Sequence, residues 1–520
     1  MLFAMIPYVN LLFVPYSVYA FAKRPKKEIK ALEVEHKALE RPIVKAQEKL
    51  IFHTVKGYIS LKAVYRGIFI QGGAGSGKTA SIIEPVIKQL ADLQFSGLLY
   101  DFKSRELTDK VLHAYKGNSK VKTYVVDFKN PNYSNRVNPI APQYLEKMAY
   151  AFEFSQTLFY NLLPETIKKR DFFDREAQSV LTGIMWFLRK RHPEYCTLPH
   201  IISLILHTDL ETVLNKVSED HESAGMVASI RQSIERKAHR LVASVMSTLQ
   251  NALSQLNAPD IFWILSGNDF TLDLNNENDP KFLCVGNDSK LPGTYAPVIS
   301  LIISTATKIM NQPNKHPSAI VLDEAPTLYI PGFENIPATA RENKIATIFG
   351  VQDYSQIIDR YGQDKAQVLL ANLGHQFYGR TPNPKTAEMI KSIFSKYDKS
   401  YVTKSSTKGS SGGLVAQFGR SVNDGMNESI HERDRIKVND IVNLSTGEFC
   451  GIIAEGHPRE FLKLKFELLQ QKKGSNEIHS DIEPVSEQMI TYNYNKIVEE
   501  ARLLFKPSND DESKNLIDIN

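Results

Sequence analysis

Two patterns of apolar and polar positions divide the chain. From Tyr65 onward, short apolar runs alternate with stretches of helical periodicity. The runs at 67–71, 96–102 and 122–128 read as strands, the first followed by a glycine loop and a helix to about Leu90. Such alternation predicts a parallel sheet covered by helices. From about Ala141 to Leu272 the strand pattern stops and helical periodicity takes over, for example across 176–188 and 241–256. Strands resume at 282–287, 318–323, 345–352 and 375–379, and the runs at 447–455 and 460–467 are placed to close the sheet. The expected architecture is an α/β domain (51–140 and 273–470) interrupted by an all-α insertion (141–272). The Ser/Gly/Lys-rich stretch 405–413 reads as a flexible loop. The segment 471–520, more acidic than basic, reads as a flexible tail or a docking segment.

The N-terminus follows a different pattern. Positions 1–22 carry no charge and are mostly large apolar residues, and about 20 such residues span a bilayer as a helix. Pro7, Asn10 and Pro15 weaken this reading without excluding it. Lys23, Arg24, Lys26 and Lys27 follow at once, a cluster that stays on the cytoplasmic side. A transmembrane anchor at 1–22, a charged juxtamembrane linker at 23–50 and a cytoplasmic bulk are therefore expected. A cleaved signal peptide is the alternative, but its charges precede the apolar run.

Composition narrows the class. With 42% apolar and 23% charged residues the chain is globular, and at 520 residues it exceeds one ordinary core. The net charge of +5 permits a polyanionic partner without demanding one. Cys196, Cys284 and Cys450 lie far apart with no paired spacing, which argues against a zinc site or disulfide framework and fits a reducing compartment.

The candidate chemistry begins at Gly72-Gly73-Ala74-Gly75-Ser76-Gly77-Lys78-Thr79, a phosphate-binding loop set between an expected strand and an expected helix. Its glycines let backbone N–H groups wrap phosphate oxygens, and the helix N-terminus adds its positive end. Lys78 is expected to reach the β- and γ-phosphates of ATP, and Thr79 to hold Mg²⁺. Downstream, a buried strand ends in Asp323-Glu324. Asp323 would hold the Mg²⁺ shell, and Glu324 would orient or deprotonate the attacking water. The alternative is a plain strand end. Gln352, ending the next strand, is placed to contact the γ-phosphate, with a strand-capping amide as the alternative. An acidic catalytic residue, a γ-phosphate sensor and an extra strand between the two phosphate-site strands indicate a motor ATPase rather than a kinase or small GTPase. Arg341, on the intervening helix, is a candidate for the arginine that ring motors insert into a neighbour's site. Arg105 and Arg380 compete for that role, and a solvated surface arginine is the alternative.

These residues resemble the coupling proteins of type IV secretion, the TraG/TraD-like conjugation ATPases. The resemblance covers most of 65–466. It takes in the phosphate loop, Asp101-Phe102-Lys103, Asn138-Pro139 and Phe172-Phe173-Asp174-Arg175-Glu176-Ala177. It continues through Ser266-Gly267-Asn268-Asp269-Phe270, Leu322-Asp323-Glu324, Arg341, Gln352-Asp353-Tyr354-Ser355-Gln356 and Thr386-Ala387-Glu388. It implies an α/β, RecA-like P-loop NTPase domain with an inserted all-α domain and an N-terminal transmembrane helix. It further implies a homo-hexameric ring at the bacterial inner membrane. Such a ring would link a relaxase–DNA complex to a type IV secretion channel and drive single-stranded DNA or protein outward. The family ordinarily carries two transmembrane helices, and one apolar segment is visible here.

For DNA contact the candidates are Lys168, Lys169 and Arg170, with Arg231, Arg236, Lys237 and Arg240. Phosphate contacts need only such clustered charge, and solvated helix faces are the alternative. A chromosome-partitioning translocase of double-stranded DNA is a second reading, but a DNA-reading winged-helix terminus is missing from the acidic tail. A nucleotide-binding membrane scaffold without turnover is a third, disfavoured by the intact Lys78, Asp323, Glu324 and Gln352 set.

Overall fold

The computed structural model describes residues 49–394, 396–408, 422–468 and 482–505. The expected anchor and nearly all of the linker lie outside the described residues. Among the described residues no helix is long and apolar enough to cross a membrane.

A nine-stranded sheet organises the molecule. Its strands in chain order are β3 (Ile68–Gln71), β4 (Ser96–Asp101), β5 (Lys122–Asp127), β6 (Lys281–Gly286), β7 (Ser318–Leu322), β8 (Ile345–Val351), β9 (His375–Tyr378), β12 (Glu448–Ile453) and β14 (Glu460–Lys465). The spatial order is β14-β12-β9-β3-β8-β7-β4-β6-β5. All pairings from β9 to β5 are parallel, and β12 and β14 extend the sheet as an antiparallel edge. Outside this sheet, β1 (Lys49–Thr54), β2 (Gly57–Lys62) and β13 (Gly456–His457) form a small three-stranded sheet. The pair β10 (Lys396–Lys408) and β11 (Val422–Asp434) forms a long antiparallel hairpin.

Strands β3, β4, β6, β7 and β8 are buried along their whole length. Burial on both faces is what a parallel sheet under helices requires, hence the unbroken apolar runs. Alternate side chains feed two cores. Ile68, Ile70, Leu99, Val321 and Ile348 face the side where the helix after the phosphate loop packs through Val86, Ile87 and Leu90. Phe69, Leu98, Tyr100, Leu322 and Phe349 face the other side, continuous with the helical insertion through Phe154, Leu158 and Phe159. Each such side chain, fully withdrawn from water, contributes about 2 kcal/mol.

Between β5 and β6 the chain is helical from Met148–Leu162 through the 20-residue helix Phe172–Arg191 to Pro259–Leu265. Asp171 caps Phe172–Arg191 in a reciprocal box with Asp174, which fixes where that helix starts.

Two expectations need correction. Within 405–413, residues 405–408 belong to β10 rather than to a flexible loop; the remainder lies outside the described residues. The segment expected as a flexible tail forms a helix over Glu487–Leu504 that packs on helices Leu198–His207 and Pro259–Leu265. Ile490, Ile497, Val498 and Ala501 are buried along one stripe, and that apolar face outweighs the segment's acidic composition.

Candidate active site

The C-terminal ends of parallel strands are where ligands of open α/β sheets bind. Here the phosphate loop leaves β3, Asp323-Glu324 leaves β7, and Gln352 leaves β8, the strand between them. The loop is pinned from three sides. Gly72 N–H donates to Val351 O at 3.1 Å and Gly73 N–H to Arg380 O at 2.9 Å. From the far edge, Thr446 Oγ1 donates to Gly75 O at 2.8 Å and Gly447 N–H to Ser76 O at 2.8 Å. Gly77 must be glycine twice over: its φ is +88°, and a Cβ there would meet Gly447 N at 2.8 Å.

Lys78 is 6% exposed, and its ammonium lies 2.7 Å from Glu324 Oε1 and 3.0 Å from Asp323 Oδ1. Gln352 hydrogen-bonds Glu324. Burial raises the Glu324 carboxyl above the usual carboxylate range, and the nearby Lys78 charge partly restores it. Glu324 also holds a left-handed backbone, φ +51°. Its carbonyl accepts from Thr327 N at 3.0 Å and Thr327 Oγ1 at 2.8 Å. Since that hydroxyl proton is committed, the 2.9 Å contact between Thr327 Oγ1 and Tyr100 OH must be donated by Tyr100. Asn287 Nδ2 in turn donates to Tyr100 OH at 2.9 Å. A one-way chain of donors thus runs from β6 through β4 to the Glu324 backbone.

Asp101, ending β4, accepts from Leu107 N, Thr108 N and Thr108 Oγ1 on Oδ2, while its Oδ1 is buried without a hydrogen bond. Burial pushes this carboxyl up to about 6, against those hydrogen bonds and helped by the Asp323 charge. Lys103 pairs with Glu106 at 3.0 Å and feels the charges of Asp323 and Glu324. Asp353 caps helix Tyr354–Tyr361 and also accepts from Thr381 and Thr386, so the sensor strand is tied to the segment after β9.

The structure therefore brings Gly72–Thr79, Asp323, Glu324 and Gln352 together. It does not bring Arg341 to them: that residue sits in the last turn of helix Ile336–Glu342, before β8 begins, half-exposed and 3.9 Å from Glu455. Arg380 is the arginine at this loop, donating to Ala74 O at 3.3 Å. Lys168 and Lys169 are exposed, Lys168 lying 3.4 Å from Asp359, and the Arg170 guanidinium lies over Tyr160. Arg236 and Lys237 occupy an exposed turn between helices His221–Glu235 and His239–Ser254, and Arg240 is exposed in the first turn of the second helix. Sequence reasoning missed Tyr100, Asn287, Thr327 and the Thr446-Gly447 clamp. Tyr100 and Asn287 flank strand ends, which was their only signal.

The residues present fit a magnesium-bound nucleotide. Ser76 Oγ, in the loop itself, is buried without a hydrogen bond, and Asp323 Oδ1 is buried with the Lys78 ammonium beside it at 3.0 Å. A Cβ built at Gly75 meets nothing closer than the Arg380 guanidinium at 3.9 Å, leaving the loop's outer face open to phosphate.

Comparison with known proteins agrees. The family described as "Type IV secretory system Conjugative DNA transfer" matches residues 24–428. The bacterial conjugative coupling protein TrwB, in its unbound form lacking the N-terminal segment, superposes with a TM-score of 0.57 at 12% identity, covering 85% of this chain and 91% of that one. TrwB solved with ADP and Mg²⁺ gives 0.56 at 14% identity, with 82% and 88% covered. TrwB with a non-hydrolysable ATP analogue gives 0.56 at 12%, with 82% and 89% covered. At these identities the likeness establishes the fold alone, a mixed, mainly parallel sheet covered by helices as in TrwB. No curated protein sequence matches the chain.

Proposed function

Because the chain belongs to the family of type IV secretory system conjugative DNA transfer proteins, we propose that it is a membrane-anchored ATPase that couples a relaxase–DNA complex to the secretion channel. It would use ATP hydrolysis to drive single-stranded DNA, with attached protein, outward. The observation that carries this reading is the Lys78 ammonium held between Asp323 and Glu324, with Gln352 bonded to Glu324 from the intervening strand.

The proposed chemistry follows from that arrangement. Phosphate oxygens compete with the carboxylates for Lys78, and whatever charge they draw away leaves Glu324 less stabilised as an anion. Its proton affinity, already raised by burial, would then rise further, as suits a group that must accept a proton. Gln352 orients the Glu324 carboxylate and is placed to register the γ-phosphate. Thr79 and Asp323 would hold Mg²⁺, which neutralises charge on the phosphate oxygens when bound. Arg341, at the opposite end of the strands from its own loop, would serve the site of an adjacent subunit in a homo-hexamer. Lys168, Lys169, Arg170, Arg236, Lys237 and Arg240 would carry DNA phosphates.

Glu324→Gln tests the assignment. The variant should bind ATP with unchanged affinity and lose about 10²–10⁴-fold in turnover, the contribution of a positioned base. Turnover at the wild-type rate would remove Glu324 from the mechanism.

A further inference from the structure

The helical insertion meets the segments that follow Glu324 and Gln352 at a buried junction. Asn161, in the last turn of helix Met148–Leu162, is 5% exposed and uses every hydrogen-bonding position of its amide. Nδ2 donates to Thr157 O at 2.9 Å within its own helix and to Tyr329 O at 2.7 Å. Oδ1 accepts from Tyr329 N at 2.9 Å and from Arg360 Nη2 at 3.1 Å. Tyr329 lies five residues beyond Glu324, and Arg360 lies in the last turn of the helix that starts just after Gln352. One side chain of the insertion therefore holds the segment trailing Glu324 and the helix trailing Gln352.

Neighbouring contacts reinforce the junction. The Tyr329 ring packs between Tyr160, edge-on at 5.3 Å, and Tyr361 at 4.9 Å. Tyr361 OH donates to Leu328 O and accepts from Ile330 N. On its outer side, Tyr160 lies beneath the Arg170 guanidinium, and Lys168 reaches Asp359 on the same sensor helix. Arg360 is poorly satisfied for a buried cation: its Nε has no hydrogen bond, and burial weakens its charged form. A network this tightly satisfied at one member and strained at the next has few intermediate arrangements, as packed interfaces generally do.

We propose that Asn161 is the joint through which the nucleotide state at Glu324 and Gln352 reaches the insertion and its 168–170 basic cluster. Asn161 is a positioning residue, and the proposal rests on the reading of the chain as an ATP-driven DNA motor. When either trailing segment shifts, Tyr329 or Arg360 must pull on the end of helix Met148–Leu162. Strand engagement at 168–170 must likewise bear on both segments, because coupling between two sites is reciprocal.

The test uses the full chain. ATPase rates are measured with and without a mixed-sequence single-stranded oligodeoxynucleotide, for wild type, Asn161→Leu and Asn161→Asp. Asn161→Leu should keep its basal rate within about twofold and lose DNA stimulation by about tenfold, the size of an ordinary allosteric coupling. Asn161→Asp, which keeps both acceptor bonds, should retain part of it. Stimulation equal to wild type in Asn161→Leu, or a basal rate falling in step with the stimulated one, would overturn the joint. Hydrogen exchange on unmodified protein, with and without a non-hydrolysable ATP analogue and Mg²⁺, decides the matter independently of how the variants fold. The last turn of Met148–Leu162 should change its exchange on nucleotide binding, and unchanged exchange there would overturn the proposal. Wild-type ATPase indifferent to DNA would instead count against the motor reading, leaving the exchange result to judge the joint.

Discussion

Tyr100→Phe isolates the donor chain behind Glu324. The substitution keeps the ring, which is fully buried in the sheet, and removes only the hydroxyl. Two contacts of 2.9 Å go with it, one to Thr327 Oγ1 and one from Asn287 Nδ2. Asn287 is 0% exposed, so its amide is left without an acceptor at a cost of about 1–3 kcal/mol. Thr327 keeps its bond to the Glu324 carbonyl but loses the donor that orients its own hydroxyl. That carbonyl holds Glu324 at φ +51°, a conformation costing about 1–3 kcal/mol in a non-glycine residue. If about 1.4 kcal/mol of the loss falls on Glu324's alignment in the transition state, kcat falls about tenfold. The Tyr100 hydroxyl bonds to Thr327 and Asn287 rather than to the phosphate loop or Lys78, so affinity for a non-hydrolysable ATP analogue should stay within about twofold of wild type. Steady-state kcat and KM, analogue affinity and a denaturant titration together separate the effects. A protein destabilised by the expected amount yet unchanged in kcat would show that the chain merely fills the core, and the reasoning would fail.

Three further outcomes follow from individual contacts. Lys78→Ala leaves Glu324 buried beside Asp323 without its counter-ion. The Glu324 carboxyl, already raised by burial, then lies further above its unfolded value, so stability is retained in acid and lost as pH rises. The melting-temperature deficit of the variant should therefore be larger at pH 8 than at pH 5, and an equal deficit would contradict the assignment. His375, buried in β9, is pulled by burial from 6.5 down to about 4. The unfolded chain binds the extra proton first, so its share of stability, about 3 kcal/mol for those 2.5 units, is lost as pH falls from 6.5 towards 4. His375→Asn should flatten that slope in urea titrations at pH 7 and 4.5, and a parallel slope would refute it. Ile497→Ala, at a 3% exposed site of the C-terminal helix, should cost about 2–4 kcal/mol and speed tryptic cleavage at Lys496 and Arg502; a wild-type melting curve would mean that the docked helix is not part of the cooperative unit.

The sheet was legible because strands buried on both faces cannot hide: Ile68–Gln71, Ser318–Leu322 and Ile345–Val351 have no solvent side on which to place polar residues. The β10–β11 hairpin was not, because its sequence alternates no apolar face and Gly412-Gly413 reads as linker. The docked C-terminal helix was legible only as the alternative to a flexible tail, for a different reason. Its stripe of Ile490, Ile497, Val498 and Ala501 has helical spacing, but the acidic residues around it mask that periodicity. The phosphate loop and Asp323-Glu324 could be placed from spacing alone, since both end strands of one parallel sheet. Tyr100, Asn287 and Thr327 could not, since their relation exists only once β6, β4 and β7 lie side by side.

The same strand order bears on the proposed ring. Gln352 and Arg341 bracket β8, one just past its C-terminal end and the other just before its start. Seven extended residues at about 3.3 Å each separate the two ends by roughly 23 Å, far beyond the reach of an arginine side chain. Arg341 therefore cannot serve the loop of its own chain, whereas Arg380 already touches it. Arg341 is instead half-exposed at the N-terminal end of β8, 3.9 Å from Glu455. The sheet that assembles lysine, carboxylates and amide at one end thus holds Arg341 at the other, so the role proposed for Arg341 requires a second subunit.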